Sequence, residues 1–505
     1  MTPRLVAPAG SDAHVSPVLR GGRMCRPVVA IPILSLWLVG TLRAQCPDGT
    51  PPPCGPLPPR APSVAILLME VRSRNAADSL LAEGLTLEII NTLGGVARLD
   101  VRSRWVSRRI AADADPMRSA RALGVDYLVD GVLELDSARV LVRGALTRTT
   151  TGRVVRPLRI SRRRAEIEAL QVAVAEEVAA AVVGRLLPSE RARFAVRRVD
   201  PRVTELVLSA RALLQPYTVS ASRQALVLAR QAIAIDSTYV PAWIRLDWSY
   251  TQLSLLEQDS SGEHWERAIA AIERAFALDS SDGAAMSEAG WLRSYRNDLS
   301  PRTETLARRG AALEPGAETA INLAGVLLAM GKVDEALGGI REAAGRDSLS
   351  PMIWAGVAIH LDLAGHFVES ARAWERALAL RPSVQDSQSL QLVRRWGRLE
   401  TGDCAGAWGD AQAPHDTPLT ILSLRCLGRG AEADSITDDR LALSTIGPAS
   451  RAIYLALRSR PDSAFAVLDR AFPPSLGLTL LHPAFAPFRQ HPGYLALRRR
   501  MGLEQ

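Results

Sequence analysis

From residue 204 onward, stretches of apolar residues at helical spacing alternate with polar or glycine breaks at a nearly constant interval. Five segments of similar character mark the rhythm: ARQAIAID ending at Asp236, ERAFALD at Asp279, RRGAALE at Glu314, REAAGRD at Asp347 and ERALALR at Arg381, spaced by 43, 35, 33 and 34 residues. A fixed period near that length predicts stacked helical hairpins, because each unit is too small to bury its own apolar face. In the clearest unit, between Ala317 and Asp347, Leu323, Ala324 and Leu327 give the inner face of a first helix. Gly331 makes the turn, and Ala336, Ile340 and Ala343 line a second helix. The next unit repeats this with Trp354, Val357, Ala358 and Leu361, then Gly365, Trp374 and Ala377, and closes at Pro382. Trp243, Leu246 and Tyr250 begin an earlier unit, whose extra residues are expected in a loop around Glu257 to His264. Past 382 the pattern decays into hairpin-like fragments up to 475, and residues 476–505 read as a helical cap built on Phe485, Phe488 and Tyr494.

Residues 63–190 have a different rhythm. Ser63 to Val71 is a continuous apolar run of strand length, and Leu81, Leu85, Ile89 and Leu93 place one apolar face on a helix stopped by Gly94-Gly95. Val96 to Val106 alternates like a second strand, Pro116 to Leu123 reads as a short helix, and 126–135, 140–147 and 153–160 read as strands. A long alanine-rich helix from Ala165 to Leu187 closes the segment. The predicted fold class is therefore mostly α: an α/β domain over 63–190, then an α-solenoid of helix hairpins, well formed over 204–382 and degenerate over 383–475.

The repeat pattern resembles that of tetratricopeptide repeat proteins, and this resemblance implies a right-handed superhelix with the first helix of each hairpin on its concave face. The segments SVAILLMEV, LAEGLTLEI (81–89) and ALGVDYLVDGVLE (122–134) resemble the TolB N-terminal-type domain, found in bacterial proteins ahead of such repeats. Leu68-Met69-Glu70 departs from the Pro-Phe-x usual at the first strand. The resemblance implies protein interaction within a cell envelope rather than chemistry.

Residues 1–45 change the expected location. Arg20, Arg23 and Arg26 precede an apolar run from Val28 to Leu42, too short to span a bilayer as a helix, with small residues following it. This reads as an export signal or N-terminal anchor, with Met24 an alternative start, and residues 46–62 read as a stiff proline-rich linker. An exported, periplasmic or envelope-associated chain is expected. Four cysteines beyond the signal form two candidate disulfides, Cys46 with Cys54 and Cys404 with Cys426.

The net charge of +8 and pI near 9.7 would suit a polyanion, yet only Lys332 among the 61 basic residues is a lysine. Basic character concentrates in residues 60–200, with 24 arginines against 17 acids, while the repeats are near neutral. No motif for sequence-specific nucleic-acid binding accompanies the arginines, so nucleic acid is not the expected partner. Lys332 is followed by Val333, which removes a phosphate-binding loop, and the seven histidines show no metal-ligand spacing. No Gly-x-Ser-x-Gly elbow or dinucleotide fingerprint occurs.

The expectation is a non-enzymatic interaction scaffold needing no cofactor or metal. Its protein or peptide partner is expected in an apolar groove lined by Ile244, Trp248, Ile321, Leu328, Met352 and Ile359. The N-terminal segment offers membrane association. The competing reading is an intracellular regulator whose arginine-rich domain contacts DNA or another signalling domain.

Overall fold

The structure is a computed structural model that describes residues 60–503, apart from 73–74, 193, 195–198, 258–261, 382–383 and 410–415. The expected signal, most of the linker, and Cys46 and Cys54 lie outside the described residues.

The α/β part opens with β1 (Ser63–Ile66) and β2 (Glu70–Val71). Then come α1 (Ala76–Gly94), β3 (Asp100–Val101), α2 (Arg104–Ala111) and α3 (Pro116–Ala122). Three long strands follow, β4 (Tyr127–Leu135), β5 (Arg139–Arg148) and β6 (Arg153–Arg163), and α4 (Ile167–Val183) ends the part. The sheet order is β3-β1-β4-β5-β6, with β2 also on β4. β1 runs parallel to β3 and β4, whereas β4, β5 and β6 form an antiparallel meander. The apolar faces of α1 (Leu81, Leu85, Ile89, Leu93) and α4 (Leu170, Val174, Val178) share one core with Val64, Ile66, Val129, Leu133 and Leu146. A second cluster joins Ala65 and Leu128 to Val106 and Ile110 of α2 and Ala120 of α3.

Two local expectations change. The alternating stretch Val96 to Val106 yields only the two residues of β3, and α2 begins at Arg104. Val106 and Ile110, four apart, make a helical face that the sheet buries, and this outweighs the short alternation. The apolar run Ser63 to Val71 breaks into β1 and β2, with Met69 between them turned into the core.

A short helix, α5 (Pro188–Ala192), leads to an array of eight helical hairpins among the described residues. They are α6/α7 (Pro201–Leu213, Val219–Ile235), α8/α9 (Val240–Glu257, Glu263–Leu278), α10/α11 (Gly283–Tyr295, Pro301–Leu313), α12/α13 (Ala317–Ala329, Val333–Arg346), α14/α15 (Pro351–Leu363, Phe367–Leu380), α16/α17 (Val384–Glu400, Cys404–Trp408), α18/α19 (Thr417–Cys426, Gly430–Ala442) and α20/α21 (Pro448–Leu457, Pro461–Ala471). Four of the first helices start on side-chain caps: Asp200, Asp282, Ser350 and Asp416 each accept a hydrogen bond from a backbone N–H of the first turn. Between the two helices of a hairpin one residue takes a left-handed conformation: Tyr217, Asn297, Gly331, Gly365, Gly402, Gly428 and Ser459 all have positive φ. This is the helix-ending turn that glycine makes at least cost. Its recurrence at Gly402, Gly428 and Ser459 shows that the hairpin architecture continues beyond 382, where the apolar rhythm fades.

The chain then folds back. The short α22 (Leu476–Thr479) and α23 (Pro492–Arg500) join Phe485 in a cluster with Leu299, Val326 and Met330, far upstream in the array. Asn297 fixes this return: its Nδ2 donates to the Pro473 carbonyl at 2.7 Å, and its Oδ1 accepts from the Leu476 N–H at 2.7 Å.

Candidate functional site

Apolar packing explains most of the array, which makes its buried charges conspicuous. In α8 the sequence VPAWIRLDWSY places Arg245 and Asp247 among apolar residues, and both are buried, Arg245 at 6% exposure and Asp247 at 0%. The Arg245 guanidinium lies 4.4 Å from the centre of the Trp248 ring, and Trp248 Nε1 donates to Glu288 Oε1 of α10 at 2.9 Å. Arg211 of α6, Glu314 and Glu318 surround Arg245 electrostatically, as does Glu88 from α1 of the α/β part. Arg245 Nε and Nη1, Arg211 Nε and Asp247 Oδ2 are buried without a hydrogen-bond partner among the described residues.

Burying an unpaired charge is costly, and the ionisation of these groups responds accordingly. Burial, reinforced by Arg211, pulls Arg245 down to about 10. Burial pushes Glu288 up to about 7 against the hydrogen bonds of Asn322 and Trp248, and it raises Asp247 well above the carboxylate range with help from Glu288. Burial also acts on Arg211, but the ion pair with Glu88 outweighs it and holds Arg211 above its ordinary value. The cluster thus holds buried guanidinium donors with open valence beside Glu288, whose carboxyl is pushed up to about 7, and Asp247, whose carboxyl is raised by burial. Among the described residues Arg245 lacks acceptors at two donor positions inside the fold, and Glu288 is a carboxyl able to exchange a proton near neutral pH.

The α/β part seats against α6 and against the C-terminal ends of α11 and α13. Glu88 pairs with Arg211, Asn91 Nδ2 donates to Glu314 Oε1 at 2.9 Å, and the Ser103 hydroxyl donates to Asp347 Oδ1 at 2.7 Å. Burial lifts Asp347 to about 6 against that hydrogen bond. α1 and α6 approach so closely that a Cβ on Gly84 would overlap the Leu208 carbonyl oxygen.

The six residues expected to line a groove do not form one open apolar surface. Ile244 is buried in the core between α8 and α9, and Leu328 is buried beside the returning C-terminal segment, where Gly477, Leu480 and Leu481 share a small cavity with it. Trp248, Ile321 and Met352 are half-buried, and Ile359 is 45% exposed. The expectation of recognition by burial alone overlooked Arg245, Asp247 and Glu288. The available signal was a charged pair inside the apolar stretch of α8, and recognising it required the neighbouring helices. Cys404 and Cys426 are joined as a disulfide, with Cα atoms 5.6 Å apart, linking α17 to the end of α18. Among the described residues, no group of His, Cys, Asp or Glu could hold a metal, and no helix is long and apolar enough to cross a membrane.

No family model matches the chain. A stretch of 180 residues is 27% identical to a protein named "Putative adenylate cyclase 3" from Rhizobium meliloti (strain 1021), covering 35% of this chain and 31% of that protein. The match therefore spans about a third of the relative's length. It stands against the expectation of a non-enzymatic chain, since the relative it matches is named as a cyclase. Among solved structures, the TPR protein TTC0263 of Thermus thermophilus aligns with 39% of this chain and 91% of its own, at 17% identity and a TM-score of 0.27. YrrB, described as a TPR protein with an unusual peptide-binding site, aligns with 48% of this chain and 97% of its own, at 13% identity and a TM-score of 0.22.

Proposed function

We propose that the chain is a protein-interaction scaffold of the bacterial cell envelope, taking a protein or peptide partner on the first-helix face of its tetratricopeptide-type array. The carrying observation is Arg245, which presents two buried, unpartnered donor positions beside Trp248 where packing alone calls for an apolar side chain. In this reading Arg245, 6% exposed, turns outward when a partner's carboxylate or main-chain carbonyl supplies the missing acceptor, and the exposed Ile359 of α14 offers apolar surface further along the array. The α/β part is read as a TolB N-terminal-like domain, supported by its order of strand, helix, short helices, meander and long helix. Envelope location is supported by the basic residues and apolar run within residues 1–45.

The test is crosslinking in intact cells with wild type and Arg245→Met. The variant should lose its main crosslinked partner while keeping its circular dichroism spectrum. An unchanged partner set would remove the site from this face. A fusion of residues 1–60 to a reporter active only after export tests location, and a reporter active only in the cytoplasm would overturn it.

A second reading follows from the likeness to the protein named as a cyclase: the chain is a regulatory module of an intracellular signalling system. Cytoplasmic retention of the same reporter, with a signalling protein as the crosslinked partner, would favour it.

A further inference from the structure

A cleft of about 290 Å³ opens between α7, α8 and α9, lined by Arg230, Trp243, Leu246, Tyr250, Arg267 and Ala271. Leu246 and Ala271 are buried and apolar. Trp243 contributes ring surface only, because its Nε1 already donates to the Ser237 carbonyl at 2.9 Å. The Tyr250 hydroxyl accepts a hydrogen bond from Arg230. The lining therefore offers apolar and aromatic surface to a body about the size of an aromatic ring system.

Two cations converge on that surface. The guanidinium carbons of Arg230 and Arg267 each lie 5.7 Å from the centre of the Tyr250 ring, and both side chains belong to exposed residues. Arg267 also pairs with Glu263 one helical turn away, whereas Arg230 shows no carboxylate partner within salt-bridge distance among the described residues. Planar guanidinium groups bind carboxylates through paired donors, and a cation held over an aromatic ring keeps its outward donors free.

We propose that this cleft binds an aromatic carboxylate: the ring lies against Trp243, Leu246 and Tyr250, and the carboxylate is held by Arg230 with support from Arg267. This goes beyond the scaffold reading and is independent of it, since Arg245 contributes nothing to the cleft lining.

Titration calorimetry of the full chain tests the proposal with indole-3-acetate, indole and N-acetyltryptophan as probes. Indole-3-acetate should bind at least tenfold more tightly than indole, and Arg230→Gln should remove that advantage. Arg267→Gln should weaken binding severalfold. Both arginines are exposed, so both variants should melt like wild type, and Arg245→Met should bind the probe normally. If N-acetyltryptophan also binds, the source extends to the carboxyl end of a peptide; if it does not, the ligand is a free aromatic acid. Equal affinity for indole and indole-3-acetate, no detectable binding of indole-3-acetate, or unchanged affinity in Arg230→Gln would overturn the proposal.

Discussion

The sheet core of the α/β part and the α8–α10 region of the array bury their side chains by different rules, although the α/β part has a buried guanidinium of its own at Arg104 in α2. Under the sheet, α1 and α4 present Leu, Ile, Val and Ala to strands of the same kind, and the large fully buried side chains there include Leu81, Leu85, Ile89, Leu133 and Leu146. In the array, α8 and α10 bury Arg245, Asp247 and Glu288 together, leaving several polar atoms unpartnered. The first arrangement gains stability with each buried group. The second gives some of it up, since a buried charge replaced by an apolar group of similar volume is often neutral or stabilising. Binding is the use proposed above for that cluster.

The largest expected effect breaks the apolar side of this comparison. Leu85→Ala should cost about 3 kcal/mol through lost burial and a residual cavity, read as a lower midpoint in urea unfolding followed by near-ultraviolet dichroism. Next comes the junction between the two regions. Gly84→Val should destabilise by about 2 kcal/mol, because its side chain meets the backbone of Leu208, and proteolysis within 185–200 should quicken. Of similar or smaller size is the disulfide: replacing Cys404 and Cys426 with serine together should lower stability by about 2 kcal/mol, confined to α16 to α18 in hydrogen exchange. Thiol labelling of protein taken directly from cells would show whether that bond forms where the chain resides.

The charged side responds in the opposite sense. Arg245→Met should leave stability unchanged or raise it by about 1 kcal/mol while abolishing partner capture, and a loss as large as that of Leu85→Ala would show that the cluster is structural. The smallest effect is a pH dependence. Glu288, at about 7 in the fold and near the ordinary carboxylate value when unfolded, binds its proton more tightly in the native chain. Its native penalty is absent below about pH 4, grows as pH rises towards 7 and is constant above. Glu288→Gln should therefore gain in melting temperature relative to wild type between about pH 5 and pH 8, and a constant difference would remove Glu288 as a proton-binding group.

Much of the fold was readable in the chain. The period from Asp236 to Arg381 announced the hairpins, and Gly331 and Gly365 marked two of their turns, because helical spacing and left-handed turns are local properties. The same turn at Asn297 and Ser459 was hidden, since neither residue is a glycine. Decay of the apolar rhythm after 382 suggested a weaker array, yet α18 to α21 form hairpins that bury Leu424, Ala433, Ala452 and Phe465 against the returning tail. The candidate site was less visible. Ile244 and Leu328 were expected on an open face, but their exposure depended on α9 and on residues 477–481. Burial set by residues far away in sequence leaves no trace in the period of one helix.

The sequence by itself determined the two rhythms of this protein, the strand-and-helix part from Ser63 to Val183 and the hairpins after Pro201, because hydrophobic spacing and helix-ending residues act over one or two turns. Only the tertiary structure decided that Glu88 would meet Arg211, that Asn297 would hold the tail at Pro473 and Leu476, and that Arg245 would be buried with open valence. Those outcomes depend on how whole helices stack, and stacking brings together residues more than a hundred positions apart.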